Sequence, residues 1–195
     1  MYKKQMTFQR VVCFLALFVS VLCFLYSLGI MTDLYDTLYA MISDPNDLDN
    51  AKVAGARVYY DMQGFNRVFL RASIGLILLS CLLFLTNTHS RRKYYIGNLV
   101  STAVNVIGEC ALGFYIHTQV EMYKNQYLTT VDFEQLRRRL ERKGTYTDST
   151  FWFDIHYLVL ALLILVAVLL IVNFVWKKKM MRGEQALLDG KEVIA

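Results

Sequence analysis

Four long apolar stretches, separated by polar segments, dominate the chain. They cover residues 11–31, 68–86, 95–117 and 151–176. A membrane-spanning helix needs roughly 20 predominantly apolar residues, so each stretch is long enough to cross a bilayer. The pattern predicts an all-α polytopic membrane protein, with residues 1–195 forming a single four-helix domain.

The third stretch differs from the others because polar side chains interrupt it at helical spacing. Asn98, Thr102, Asn105 and Glu109 follow one another at intervals of four, three and four residues, which places them on one face of a helix. Such a face is costly to expose to lipid. We therefore expect other helices to cover it.

A partner for Glu109 can be inferred from the residues predicted to lie at the same depth in the membrane. The connection between the second and third spans is centred at about residue 91, so residues equally far from that centre should lie at one depth. Arg71 and Glu109 meet this condition, as do Ser80 and Ser101. We predict an Arg71–Glu109 ion pair, whose disruption would strand a buried charge. Arg71 and the polar stripe together form a candidate intramembrane site, for which transport or gating is the alternative role.

Basic residues beside the spans predict their direction. They cluster at residues 3–10, 89–93 and 177–182, and basic connections favour the cytoplasmic side. This topology puts both termini in the cytoplasm, with a cytoplasmic tail at 177–195. It also accounts for much of the net charge of +5 without a nucleic-acid partner, and we expect none.

The same topology leaves residues 32–67 and 118–150 outside. The first of these segments contains a series of acidic residues: Asp33, Asp36, Asp44, Asp47 and Asp49. Its apolar positions keep helical spacing up to a turn signal at Pro45. We expect the first two spans to continue outward as an antiparallel helical hairpin, with an irregular loop as the alternative.

In the second outer segment, residues 130–143 predict a short amphipathic helix that Gly144 would end. Its polar face is strongly basic: Arg137, Arg138, Arg139, Arg142 and Lys143. This helix is a candidate contact for an acidic partner or for lipid headgroups. It is equally suited to pack on the acidic arm of the same protein.

Two histidines, His117 and His156, fall near the predicted outer surface, at the end of the third span and early in the fourth. Their common level is compatible with bis-histidine haem ligation, and Asp154 could complete a metal site instead. Hydrogen bonding at the membrane interface is the simpler interpretation. On balance we expect neither a metal nor a cofactor.

Motifs that would identify an enzyme are absent from the sequence. Cys13, Cys23, Cys81 and Cys110 all fall within predicted spans and form no CxxC, so they fit buried apolar positions. The sequence contains no phosphate-binding glycine loop, HExxH or GxSxG. These observations disfavour a catalytic role.

The functional hypothesis is a non-catalytic plasma-membrane subunit that binds or scaffolds a larger assembly, such as a transporter. Its partners would be the bilayer and other membrane subunits or further copies of itself. A small transporter or channel with a Glu109/Arg71 site is the first alternative. A haem or quinone membrane oxidoreductase that uses His117 and His156 is the second.

Overall fold

Six α-helices make up most of the structure. The computed structural model describes residues 2–45, 47, 51–88 and 95–192, apart from the side chains of 2, 88, 95–97, 142, 184, 185 and 187–192. The helices are α1 (Tyr2–Gly29), α2 (Thr32–Thr37), α3 (Val58–Thr88), α4 (Tyr95–Thr130), α5 (Phe133–Leu140) and α6 (Phe151–Glu192). Short 3-10 turns follow at Tyr39–Met41 and Glu141–Lys143. Because the described residues contain no strand, the predicted all-α class is confirmed.

Three features of the prediction fall outside the described residues. These are the basic connection at 89–93, Asp49 of the acidic segment, and the side chain of Arg142.

The four long helices are each long and apolar enough to cross a membrane. The candidate spans are Lys3–Met41, Val58–Asn87, Asn98–Thr130 and Phe151–Gly183. Large apolar side chains also cover the outer faces of these helices, and Ile107 and Phe114 are 67% and 71% exposed. Apolar surface of this extent is unfavourable in water and favourable in lipid. Length, composition and surface together indicate a multi-pass membrane protein.

The helices extend beyond the predicted spans. α3 begins at Val58 rather than near residue 68, α4 continues to Thr130, and α6 continues to Glu192. Hydropathy marks only the apolar part of a helix, whereas backbone hydrogen bonding carries the helix on into polar sequence.

Contacts divide the chain into two compact units, and each long helix contributes a segment to both. The first unit comprises residues 1–20, 75–111 and 162–195, and the second comprises 21–74 and 112–161. In the first unit the α3 segment buries Leu76, Ser80, Leu83 and Asn87, at steps of four, three and four. One face of that helix therefore forms core.

The outer hairpin predicted for 32–67 forms only in part. α2 and the turn at Tyr39–Met41 supply one arm, and the first residues of α3 supply the other. The described residues between 42 and 57 are not helical. Instead, Lys52 N donates to Met41 O at 2.8 Å, which draws this segment back onto the turn. The predicted continuous hairpin is therefore wrong in its middle.

Gly55 allows the returning segment to pack against the end of α4. Its φ of 78° lies in the left-handed region, and a Cβ there would come within 2.3 Å of Thr130 O. Next to it, Asp132 N donates to Ala54 O at 3.1 Å. Only glycine combines this backbone conformation with so close an approach.

The amphipathic helix predicted after the third span is confirmed as α5, although residue 130 belongs to α4. Asp132 caps its N-terminus by accepting from Gln135 N at 2.9 Å. Leu136 and Leu140 are fully buried on its apolar face. Gly144 ends the following 3-10 turn with φ 67°, as the sequence predicts.

Comparison of two glycine variants tests the close packing at Gly55. Gly144 also has positive φ, but nothing lies within 4 Å of its Cβ position, so Gly144→Ala reports conformational strain alone. We expect Gly144→Ala to cost about 1 kcal/mol of unfolding free energy. Gly55→Ala should cost at least about 1–2 kcal/mol more, because backbone atoms must also move. Thermal unfolding in detergent measures both, and equal losses would contradict the packing.

Candidate functional site

The polar stripe of α4 is buried in the first unit, as its spacing predicts. Asn98, Thr102, Asn105 and Glu109 are 3%, 5%, 0% and 1% exposed. Thr102 satisfies its hydroxyl locally by donating to Asn98 O at 2.8 Å. Asn98 and Asn105 reach towards neighbouring helices, whereas Glu109 contacts Asn105 of its own helix.

Asn105 and Glu109 continue a line of polar contacts that we name the polar seam: Ser20, Ser80, Asn105 and Glu109. The Ser20 and Ser80 hydroxyl oxygens are 2.8 Å apart. The orientation of the Asn105 amide that satisfies both its ends lets Oδ1 accept from the Ser80 hydroxyl at 3.2 Å. Its Nδ2 then donates to Glu109 Oε1 at 2.9 Å. The seam thus joins α1, α3 and α4.

One oxygen of Glu109 stands apart from the rest of the seam. Oε2 is buried and has no hydrogen-bond partner among the described residues. An unsatisfied buried carboxyl oxygen carries an energetic cost, since burial removes it from solvent without a compensating hydrogen bond.

The predicted Arg71–Glu109 ion pair does not form among the described residues. The Arg71 side chain is exposed and lies on the second-unit part of α3, whereas Glu109 contacts Asn105. Ser80 likewise contacts Asn105 rather than Ser101, and Ser101 instead lies 2.9 Å from Thr86 Oγ1. The predicted pairing is therefore wrong at both positions.

The observed contacts give the reason for this error. Both the Ser80–Asn105 and the Thr86–Ser101 contacts are centred at about residue 93, not residue 91. This change displaces the expected partner of any residue by about four positions, or one helical turn. The side chain level with Glu109 is accordingly the buried Leu76, whose Cδ1 lies 3.5 Å from the Cβ position of neighbouring Gly108.

Asn98 contacts a cation and a backbone carbonyl. In the orientation that satisfies its amide, Oδ1 accepts from Lys177 Nζ at 2.8 Å, and Nδ2 donates to Thr86 O. The lysine that follows the fourth apolar stretch therefore bends back to a buried amide. From sequence, Lys177 is only a basic residue beside the fourth span, and that position does not predict this contact.

A further polar cluster in the first unit was missed at the sequence level. Gln5 Nε2 donates to Gln9 Oε1 and to Asn173 Oδ1, both at 3.1 Å. Gln9 in turn donates to Asn87 O. All four side chains are buried. The i, i+4 spacing of Gln5 and Gln9 is the signal that could have identified it.

In the second unit, α4 and α6 bring His117 and His156 into direct contact. His117 Nδ1 and His156 Nε2 are 3.2 Å apart, and their rings stack at an interplanar angle of 27°. Glu121, one turn after His117 on α4, places Oε1 3.4 Å from His156 Nε2. We name these three residues the histidine cluster. The ligand atoms that they offer all lie within 4.8 Å of one another.

Asp154, the third ligand considered from sequence, points elsewhere. It accepts from Lys124 Nζ at 2.6 Å and from Thr150 Oγ1 at 2.7 Å. Glu121 takes its place in the cluster, and the α-helical period from His117 is the signal that identifies it.

The cation-bearing helix α5 is attached by its apolar side. Tyr127 packs edge-on against Phe133 at a centroid distance of 5.1 Å. Arg137, Arg138, Arg139 and Lys143 remain exposed. Arg138 pairs with Glu134 of the same helix, and Arg137 lies 5.3 Å from the Tyr146 ring centre.

No protein-family model, curated protein or solved structure matches this chain. Function must therefore be argued from the sites themselves.

Replacement of Asn105 tests whether the polar seam contributes to stability. Asn105→Ala removes the donor to Glu109 and leaves its carboxyl group unsatisfied, so we expect a loss of about 1–3 kcal/mol. Asn125→Ala is the matched control, since Asn125 is an exposed residue of the same helix. The control should stay within about 0.5 kcal/mol of the wild type. Equal stabilities of the two variants in detergent unfolding would disprove the role of the seam.

Proposed function

We propose that this chain is a non-catalytic multi-pass subunit of the plasma membrane that binds a larger membrane assembly through α5. The basic flanks support a topology with both termini in the cytoplasm, which would place α5 outside. The observation that carries the proposal is the arrangement of α5. Its leucines are buried against its own chain, while its arginines are exposed.

The contacts that Arg137 and Arg138 make within the chain leave their positive charges available to a partner. Both side chains of the Arg138–Glu134 pair are 75% exposed, and exposed ion pairs of this kind contribute little. The described partners of Arg137 and Arg138 lie on α5 and in the segment after it, rather than on the acidic segment after α1. Of the two roles predicted from sequence, docking on a partner is the one that we propose for these arginines.

An acidic surface of a membrane protein is the partner chemistry that fits best. Arginine side chains bind carboxylates in bidentate geometry and are enriched where binding energy concentrates. A docked rigid helix also loses little conformational entropy on binding.

Charge removal tests this partner. Arg137→Gln, Arg138→Gln and Arg139→Gln together should reduce recovery of co-purifying membrane proteins at least about tenfold, since buried charge pairs at interfaces are costly to lose. The measurement is quantitative mass spectrometry after purification in mild detergent. Lys178→Gln, Lys179→Gln and Arg182→Gln form the matched control, because they also remove three exposed cations.

Three outcomes would argue against the proposal. Equal recovery of co-purifying proteins with both triple variants would show that α5 is not part of the interface. Purification of the chain alone, as a defined oligomer, would oppose an accessory subunit. Binding of the wild type to anionic but not zwitterionic vesicles, lost in the α5 variant, would assign the arginines to lipid headgroups instead.

Transport is a second candidate function, and it is favoured by the Glu109 oxygen that has no hydrogen-bond partner in the described part of the chain. Buried carboxyl groups within spans commonly belong to ion or proton pathways. In proteoliposomes that contain a pH-sensitive dye, this hypothesis expects wild-type proton flux above that of empty vesicles. Glu109→Gln should abolish it, whereas Glu134→Gln, at an exposed carboxylate of α5, should not. Flux that is absent in the wild type would exclude proton transport.

A further inference from the structure

We propose that the histidine cluster is a binding site for a divalent cation of the zinc class, with His117, Glu121 and His156 as its protein ligands. This inference is independent of the proposed docking role of α5. It rests on the donor atoms, on their separations, and on the arrangement of protons that the surrounding contacts impose.

Two of the three separations match the edges of a tetrahedral site. With zinc–nitrogen bonds of about 2.0–2.1 Å, two ligand atoms of a tetrahedron lie about 3.3–3.4 Å apart. His117 Nδ1 and His156 Nε2 are 3.2 Å apart, and His156 Nε2 and Glu121 Oε1 are 3.4 Å apart. The ligand atoms of His117 and Glu121 lie within 4.8 Å of each other, so this third separation has to shorten by at most about 1.5 Å to bring the three atoms to one ion.

The backbone fixes which nitrogen of His156 is available. His156 Nδ1 lies 2.6 Å from Phe153 O, and a carbonyl oxygen only accepts, so Nδ1 carries the proton. In the neutral ring, Nε2 then presents a lone pair, with His117 Nδ1 at 3.2 Å and Glu121 Oε1 at 3.4 Å. Two acceptors at 3.4 Å repel each other unless a cation or a proton lies between them. A zinc-type ion would remove this repulsion.

Neighbouring contacts orient the ligands as outer partners do in known zinc sites. Phe153 O holds the His156 ring, which is itself fully buried. Tyr157 OH donates to Glu121 Oε1 at 2.6 Å and orients the carboxylate. Such partners fix ring tautomers and strengthen metal binding.

The charge around the cluster is also suitable. The nearby Lys124 ammonium is paired with Asp154 at 2.6 Å, so its repulsion of a bound cation is reduced. The Glu121 side chain is 39% exposed, which gives an ion access from solvent.

Donor chemistry selects the class of ion. Two imidazoles and one carboxylate suit zinc and its transition-metal neighbours, whereas calcium and magnesium prefer all-oxygen sites. Three protein ligands plus water is the usual coordination of an accessible zinc site. Bis-histidine haem fits poorly, because axial nitrogens about 2 Å from a metal on opposite sides lie about 4 Å apart with the macrocycle between the rings.

Metal titration of the purified full chain tests this proposal. Protein stripped with a chelator should bind one Zn²⁺ per chain in competition with a chromophoric chelator. Co²⁺ should give the strong visible absorption of a four-coordinate site. Zn²⁺ should raise the Tm. Glu121→Gln and His117→Asn should weaken binding by at least about tenfold and abolish the Tm shift.

One variant serves as the matched control. His89→Ala removes the third histidine of the sequence, which is not part of the proposed ligand set. It should bind Zn²⁺ with affinity close to that of the wild type. Near-isosteric Glu121→Gln keeps the test valid if a histidine variant does not fold. The proposal would be overturned by a wild type that binds no Zn²⁺, by Glu121→Gln binding as the wild type does, or by loss of binding in His89→Ala.

Discussion

Polar side chains that lie between apolar helices must find their partners inside the protein, because lipid supplies none. Attraction between helices in a bilayer comes from packing and hydrogen bonds rather than from exclusion of water. In the first unit, the contacts from Ser20 to Ser80 and from Ser80 to Asn105 join α1, α3 and α4 at defined heights. Sliding one helix along another would break several of these contacts together, so the polar seam fixes the register.

In the second unit, packing at helix ends fixes the register of the helices. Gly29 leaves room for the Trp152 ring, which would otherwise clash with a Cβ, and Tyr26 OH donates to Trp152 O at 2.9 Å. Gly55 in turn lets the chain pass against Thr130 O. Both positions require glycine, because a side chain there would occupy space that another residue fills.

Sequence periodicity correctly predicted features that depend on a single helix. It failed for features that depend on the register between two helices or on a tertiary contact. The burial of Asn105 and Glu109 and the stop at Gly144 follow from local spacing and local backbone preference. The partner of Glu109 depends on the register between helices, and an error of about two residues in the centre of the connection displaces it by about one turn. The break in the predicted hairpin depends on Gly55 meeting the end of α4, which local propensity does not reveal.

The same distinction explains the histidine cluster. Sequence alone brought His117 and His156 to one level but chose Asp154, a neighbour in sequence, over Glu121, a neighbour on the helix surface. The environments of the Glu109 and Glu121 carboxyl groups then differ in kind. Glu109 meets a neutral amide donor, which satisfies one oxygen without demanding a charge. Glu121 faces an imidazole nitrogen whose ring proton is already committed to Phe153 O. A positive charge between that nitrogen and the carboxylate resolves this conflict, so the proposed cation site belongs to the second unit rather than to the polar seam.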